Sequence, residues 1–213
     1  QQIEDHFGGQ FIDIFGIYSA YLLPNMLSKS EQKSETTHTY TLQYSHEAID
    51  FGGALETAGG IARALPLLCS SNESDIFWVL AGDGDAPNFL FSQESVERFK
   101  TSQKLAHIWL VPNPEHNVQG DFGLRDDGLA LNESGSNGQK FTFSTIALYR
   151  KSLFSMPYCN IAEGTPTGLT AALAPVLRKA ISAQQVSAEL YTGTWVDVGT
   201  PERLKQLNNQ TQP

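Results

Sequence analysis

Two aspartates stand in sequence contexts that suit metal binding. Asp83 follows the apolar run of residues 75–81 and lies between two glycines, and Asp197 alternates with apolar neighbours in residues 195–199. Ligands of open α/β sheets bind at the carboxyl ends of strands, and Mg²⁺ prefers carboxylate oxygens beside substrate phosphates. We therefore expect Asp83 and Asp197 to converge on a Mg²⁺ ion. The plainer alternatives are an Asx turn at Asp83 and a helix cap at Asp197, although Thr200 is better placed for the cap.

A glycine-rich segment precedes a helical pattern in the first third of the chain. It contains Glu56, Thr57, Gly59 and Gly60, and Thr57 is predicted to cap the helix that follows. Backbone N–H groups at a helix N-terminus suit an anionic group or the edge of a base. Glycines are also used where a helix packs closely, so this segment alone leaves both interpretations open.

Other catalytic chemistries find no support. The histidines form no HExxH set, Cys69 and Cys159 fit no metal or redox spacing, and no serine stands in a G-x-S-x-G elbow. We expect two free thiols, as in a reducing cytoplasm, and His116 to be a solvated loop residue. The net charge of −9 disfavours nucleic acid, and the apolar runs are too short to span a membrane.

The hydrophobic pattern predicts an α/β fold with a Rossmann-like three-layer sandwich and a mixed, mostly parallel sheet. Nearly continuous apolar runs at residues 75–81 and 105–111 are typical of buried strands, and a helix is predicted between them at 92–103. Further predicted strands lie at 11–15, 39–44, 120–124, 140–149 and 186–191, and further predicted helices at 174–182 and from Pro201 onward.

The N-terminal region contains two features that do not belong to this pattern. Residues 1–8 resemble the end of a helix whose start is absent, so we expect an upstream segment that this sequence lacks. Residues 28–37 contain no apolar side chain and cannot repay their ordering entropy. We interpret residues 18–38 as a flexible insertion in a single domain that comprises residues 1–213.

Taken in order, five motifs resemble the sugar-1-phosphate nucleotidyltransferases, most strongly the muramate-phosphate uridylyltransferases of bacterial cell-wall recycling. The motifs are Leu55-Glu56-Thr57-Ala58-Gly59-Gly60, Ala81-Gly82-Asp83, Gly120-Asp121-Phe122, Phe141-Thr142-Phe143-Ser144 and Trp195-Val196-Asp197-Val198-Gly199-Thr200-Pro201. Outside residues 18–38, the resemblance covers essentially the whole chain.

The resemblance implies a nucleotide-diphospho-sugar transferase fold and a cytoplasmic enzyme that makes a UDP-sugar and pyrophosphate from UTP and a sugar 1-phosphate. Asp83 and Asp197 would bind Mg²⁺. The nucleotide would contact Glu56, Thr57, Gly59 and Gly60, and the sugar phosphate would contact Ala81, Gly82, Gly120, Asp121 and Ser144. The family also carries an N-terminal glycine-rich loop with an Arg, followed by a Lys, and these are absent here. Without them we expect this chain by itself to be inactive.

Two substitutions within the motifs bear on substrate identity. Ala81 stands where the family usually has Asn, and Thr145 where it usually has Gly. Two other functions remain open: a nucleotide-sugar-binding protein without catalysis, and a glycosyltransferase whose DxD motif is Asp83-Gly84-Asp85.

Overall fold

The computed structural model describes residues 45–69 and 75–210. In chain order its helices are α1 (Glu47–Phe51), α2 (Glu56–Leu68), α3 (Gln93–Ser102), α4 (Leu173–Ser182) and α5 (Pro201–Gln210). Its strands are β1 (Ile76–Val79), β2 (Gly84–Asp85), β3 (Ala106–Val111), β4 (Gly123–Leu124), β5 (Ala130–Leu131), β6 (Thr142–Arg150), β7 (Val186–Leu190) and β8 (Val196–Asp197). Short 3₁₀ turns occupy Glu115–Asn117 and Lys151–Phe154.

The central sheet of the described region has the strand order β1-β6-β3-β7. Strand β6 is antiparallel to both β1 and β3, whereas β3 and β7 are parallel. Three strands therefore point one way, and β6 runs between two of them in the opposite direction. The predicted strand-helix-strand unit is confirmed in direction, but its two strands are not neighbours because β6 separates them.

Helices α2 and α4 cover one face of the sheet. On α4 the apolar residues Val176, Leu177, Ala180 and Ile181 share one face and are buried against the sheet, as the 3.6-residue period requires. Full burial of a side chain such as Leu177 stabilises the fold by about 1.5 to 3 kcal/mol. This face contains the larger part of the core.

An aromatic cluster covers the opposite face beneath α3. Trp78 and Trp109 stack with ring centroids 5.0 Å apart, and Phe89 meets Trp109 edge-on at 5.2 Å. Phe99 of α3 is buried in the same cluster. Helix α3 begins where predicted, because the Ser92 hydroxyl accepts a hydrogen bond from the Ser95 N–H. With helices on both faces of the sheet, the three-layer α/β fold is confirmed.

Helix α2 contains Pro66 in its last turn, and a loop residue compensates for the missing donor. Pro66 has no N–H to offer the Ala62 carbonyl, and that carbonyl accepts instead from Gly164 at 2.8 Å. The Arg63 guanidinium in turn donates to the Gly164 carbonyl at 3.4 Å. These bonds tie the loop between β6 and α4 to the outer side of α2.

Most predicted elements are confirmed within one to three residues, and one local prediction is wrong. Thr57 does not cap α2: Leu55 holds the cap position without a side-chain bond, and Thr57 lies inside the helix. The predicted cap at Thr200 is present, since its hydroxyl accepts from the Arg203 N–H at 3.3 Å. The predictions for residues 1–8, 11–15, 18–38 and 39–44 lie outside the described residues.

No helix within residues 45–69 and 75–210 is long and apolar enough to cross a membrane. Cys159 is buried, Cys69 is partly exposed, and both are free thiols.

Candidate functional site

A two-stranded ribbon brings the two predicted metal ligands together. In the β2–β8 pair, Gly84 lies opposite Asp197, and the Val198 N–H donates to the Asp83 carbonyl at 2.8 Å. Asp83 immediately precedes β2, just beyond the carboxyl end of β1. The ribbon thus places Asp83 and Asp197 side by side at the edge of the sheet where ligands of α/β folds bind.

Gly199 gives a measure of how closely these carboxylates converge. A Cβ atom added to Gly199 would lie 3.0 Å from Asp83 Oδ2, 3.0 Å from Asp197 Oδ1 and 3.2 Å from Arg203 Nη2. The two carboxylate oxygens are therefore separated by no more than twice 3.0 Å. Any side chain at position 199 would occupy the space next to both carboxylates.

Asp197 is held as a carboxylate by three donors. Its Oδ1 accepts from the Gly199 N–H at 2.7 Å and from Arg203 Nη2 at 3.1 Å, and its Oδ2 lies 3.0 Å from His116 Nε2. Partial burial opposes ionisation, but the Gly199 N–H, Arg203 and His116 together lower the pKa of Asp197. The group is therefore charged at neutral pH and available as an anionic ligand.

The donor set suits a magnesium ion bound in part by substrate. Mg²⁺ is usually held by one or two carboxylates together with substrate phosphates and water, and two converging carboxylates provide that protein contribution. Within residues 45–69 and 75–210 no group of three or more His, Cys, Asp or Glu side chains could form a complete metal cage. The geometry therefore fits a shared ion rather than a closed structural metal site.

A cavity of about 900 Å³ opens beside Asp83, between the sheet and helices α2 and α4. Six of the predicted site residues line it: Glu56, Thr57, Ala81, Gly82, Asp83 and Asp121. Asp121 is also part of the framework, because its Oδ2 accepts from the Phe143 N–H at 2.8 Å. The volume lies within the range of small-molecule sites.

A β-bulge in β6 determines which side chain faces the cavity: Thr145 faces it, and the predicted Ser144 does not. The pairing of β3 with β6 shifts register between Ile108 and Leu110. Ser144 is fully buried and donates to the Trp109 carbonyl at 2.7 Å, whereas Thr145, with φ of +66°, lines the cavity. The structure therefore does not place Ser144 at the cavity, since a bulge turns the next side chain there instead.

The glycines of the α2 segment lie inside the helix and face its neighbours. A Cβ at Gly59 would lie 2.8 Å from the Leu169 carbonyl oxygen, and both Gly59 and Gly60 are buried. The N–H groups of Ala58 and Gly59 already donate to the Ala171 carbonyl, at 2.9 and 3.1 Å. Gly59 thus permits close packing, and a ligand at this helix end would meet Glu56 and Thr57 rather than the two glycines.

Gly120 lies away from the main cavity. It lines a second, more polar cavity of about 620 Å³ together with Asn113 and Lys140. Its φ is +63°, and a Cβ there would lie 2.8 Å from Asn113 Oδ1. These constraints explain the glycine by the turn and its packing, and Gly120 does not line the main cavity.

Three residues near the site were not predicted from sequence, and the expectation that His116 is a solvated loop residue is wrong. His116 and Arg203 contact Asp197, and Arg178 and Tyr149 line the cavity. Arg203 could have been found, because it follows the Thr200 cap by three residues and so lies in the first turn of α5. His116 could not, because only the tertiary fold brings its 3₁₀ turn to β8.

The sequence comparison agrees with this geometry. Over 160 residues, which are 72% of this chain, the sequence is 42% identical to the N-acetylmuramate alpha-1-phosphate uridylyltransferase of Neisseria meningitidis serogroup B. The resemblance to the sugar-1-phosphate nucleotidyltransferases is confirmed. The matched region spans 61% of the length of that nucleotidyltransferase. No protein-family model matches the chain.

Solved structures support the same fold. A protein from Bacillus anthracis described as a glucose-1-phosphate thymidylyltransferase, crystallised with sucrose, superposes with a TM-score of 0.55 at 15% identity. The match covers 81% of this chain and 64% of that one. HddC from Yersinia pseudotuberculosis has a TM-score of 0.50 at 16% identity, over 75% of this chain and 64% of its own. At these identities the likeness concerns the nucleotidyltransferase fold alone.

Proposed function

We propose that the protein to which this chain belongs is a uridylyltransferase that makes a UDP-sugar from UTP and N-acetylmuramate 1-phosphate. The observation that carries the proposal is the convergence of Asp83 and Asp197 beside a cavity large enough for a nucleotide sugar. The 42% identity to a uridylyltransferase of that substrate supports it. This activity belongs to bacterial cell-wall recycling in the cytoplasm, where UTP is available.

The proposed reaction is an in-line displacement at the α-phosphorus of UTP. A phosphate oxygen of the sugar 1-phosphate forms the new bond to that phosphorus, the bond to the β-phosphate breaks, and pyrophosphate leaves. Catalysis of this kind is mostly positioning and charge neutralisation. Asp83 and Asp197 would hold a Mg²⁺ ion, which would supply positive charge to offset the negative charge of the phosphates.

Different residues of this chain would bind the ion, orient its ligand and contact the two substrates. Asp83 and Asp197 would hold the ion, and the Gly199 N–H, Arg203 and His116 would keep Asp197 ionised and oriented. Glu56 and Thr57, which line the cavity at the end of α2, would contact the base or ribose. Ala81, Gly82 and Asp121 would line the sugar side, together with Thr145.

Pyrophosphate release tests this proposal. We would assay the natural full-length gene product, with residues 1–213 alone alongside, using UTP and N-acetylmuramate 1-phosphate with N-acetylglucosamine 1-phosphate for comparison. Asp83→Asn and Asp197→Asn should each lower kcat/KM by about 100-fold or more, since each removes an anionic ligand from the transition-state assembly. Absence of pyrophosphate release with every sugar phosphate would contradict the enzyme proposal.

Binding without turnover is a second candidate, favoured by one observation. Both oxygens of Asp197 already contact donors, and these contacts compete with a cation for the carboxylate. Tight binding of UDP-sugars by a full-length protein that never releases pyrophosphate would support this function. A DxD glycosyltransferase is disfavoured, because Asp85 is 6% exposed and does not line the cavity.

A further inference from the structure

Arg178 is the one basic residue among the described residues that line the main cavity. The other charged residues of that lining are Glu56, Asp83 and Asp121. An anionic substrate entering this space would therefore meet three carboxylates and a single guanidinium. Among the described residues, Arg178 is therefore the only lining side chain that can offset substrate charge directly.

The guanidinium of Arg178 is held against an aromatic ring, and its N–H donors have no acceptor among the described residues. Its Cζ lies 5.1 Å from the centroid of the Phe122 ring, and the ring face attracts the cation. The backbone of Arg178 is fixed as well, since its carbonyl accepts from Asn132 Nδ2 at 2.9 Å. Within the described part of the chain, the guanidinium donates no hydrogen bond and forms no ion pair with a carboxylate.

This situation differs from that of two other arginines, Arg203 beside Asp197 and Arg63 on the outer part of α2. Arg203 is committed to Asp197 at 3.1 Å, and Arg63 is committed to Asp50. A guanidinium presents five donors in a planar fork that matches the oxygens of a carboxylate or a phosphate. A fork positioned by an aromatic ring, with its donors unused, is prepared to bind an oxyanion of a ligand.

We propose that Arg178 binds an anionic group of the sugar substrate within the cavity. This inference rests on the proposed function. The shared chemistry is an oxyanion, and it has two sources in the proposed substrate: the carboxylate of the acidic sugar and the phosphate on its anomeric carbon. The carboxylate would have the greater need of Arg178, because a metal ion held by Asp83 and Asp197 would offset the charge of the phosphate.

The test compares two UDP-sugars that differ in the carboxylate. Binding of UDP-N-acetylmuramate and of UDP-N-acetylglucosamine to the natural full-length protein would be measured by isothermal titration calorimetry in the presence of Mg²⁺. The variants are Arg178→Gln and Arg178→Lys, and the matched control is Lys179→Gln. Lys179 is the next residue of α4, it is exposed, and it does not line the cavity.

We expect Arg178→Gln to weaken binding of the acidic sugar nucleotide by about 10-fold, the typical effect of a lost charge-assisted hydrogen bond. Binding of UDP-N-acetylglucosamine should change less than about twofold, and Arg178→Lys should recover part of the loss. Equal weakening of both ligands would support the inference with phosphate as the anion. The control Lys179→Gln should bind both ligands as the wild type does.

Unchanged binding of both ligands by Arg178→Gln, while the wild type binds them, would overturn the role of Arg178 and leave the proposed function standing. A wild-type protein that neither binds the UDP-sugars nor releases pyrophosphate would overturn both. Thermal melts of every variant show whether it is folded. Destabilisation through loss of the contact with Phe122 would affect binding of both ligands alike, and the melts would reveal it.

Discussion

Gly199→Ala tests whether the space between Asp83 and Asp197 is required for metal binding. The new methyl group would lie 3.0 Å from one oxygen of each carboxylate, closer than the 3.4 Å at which ordinary contacts begin. Each carboxylate must then retreat by a few tenths of an ångström. A displacement of about 1 Å at a reacting centre can cost about 100-fold in rate, so this smaller shift should cost about 10-fold.

The stability cost should be smaller than the functional one. Overpacking a rigid core costs about 1 to 3 kcal/mol, but both aspartates lie near the surface and can rotate away from the methyl group. We expect the free energy of unfolding to fall by no more than about 1 kcal/mol. The half-saturating Mg²⁺ concentration for pyrophosphate release, or for binding of a UDP-sugar, should rise about 10-fold.

Gly84→Ala is the matched control on the paired strand. A Cβ at Gly84 would have its nearest contacts at 3.7 Å, with Thr145 Oγ1, and at 3.8 Å, with the Ala81 carbonyl and Trp195 Nε1. It should leave the dependence on Mg²⁺ unchanged. The reasoning is refuted if Gly199→Ala binds Mg²⁺ as the wild type does, or if Gly84→Ala loses as much affinity.

Three further predictions follow from single side chains. Thr145→Gly should raise the free energy of unfolding, measured by urea titration, by about 1 kcal/mol, because a β-branched residue is strained at φ of +66°. A lower free energy of unfolding would contradict this strain. Tyr149→Phe should leave stability unchanged or raise it by about 1 kcal/mol, since the buried hydroxyl has no hydrogen-bond partner within residues 45–69 and 75–210; a marked loss would reveal a partner elsewhere. The hydrogen bond from His107, together with Trp109 and Arg98, lowers the pKa of Glu189 against the effect of burial. Stability should therefore fall as the pH drops below the pKa of about 4 that Glu has in the unfolded chain and through the lowered pKa of the folded state. Glu189→Gln should flatten this fall, and an identical pH profile would exclude the contribution.

The architecture could be predicted from sequence because its signals are local. The helix at Gln93–Ser102 has a serine cap and a buried Phe99, and the helix at Leu173–Ser182 has an apolar stripe with the correct period. The insertion of β6 between β1 and β3 could not be predicted, because strand order depends on contacts between distant segments. A continuous apolar run shows that a strand is buried, but not which strands pair with it.

The site was only partly predictable for a similar reason. Asp83 and Asp197 could be found because each stands at or within a short run of apolar strand residues. The interpretation of Ser144 failed because a bulge shifts the inward and outward alternation by one residue. Arg178 lies on α4, whose apolar residues pack in the core. The tertiary structure shows that the other side of this helix borders the cavity, because Arg178 contacts Phe122 there.

The β2–β8 ribbon has a consequence for how the protein acquires its site during synthesis and folding. Asp83 and Asp197 are more than 100 residues apart along the chain, and just two residue pairs of this ribbon hold them together. Closure of so long a loop is entropically unfavourable, and such distant contacts tend to form after local ones. On the proposed function, a nascent chain would not bind Mg²⁺ until β8 has emerged and paired with β2. Recovery of metal affinity during refolding should therefore follow recovery of helical content, which makes metal binding a reporter of the final step of folding.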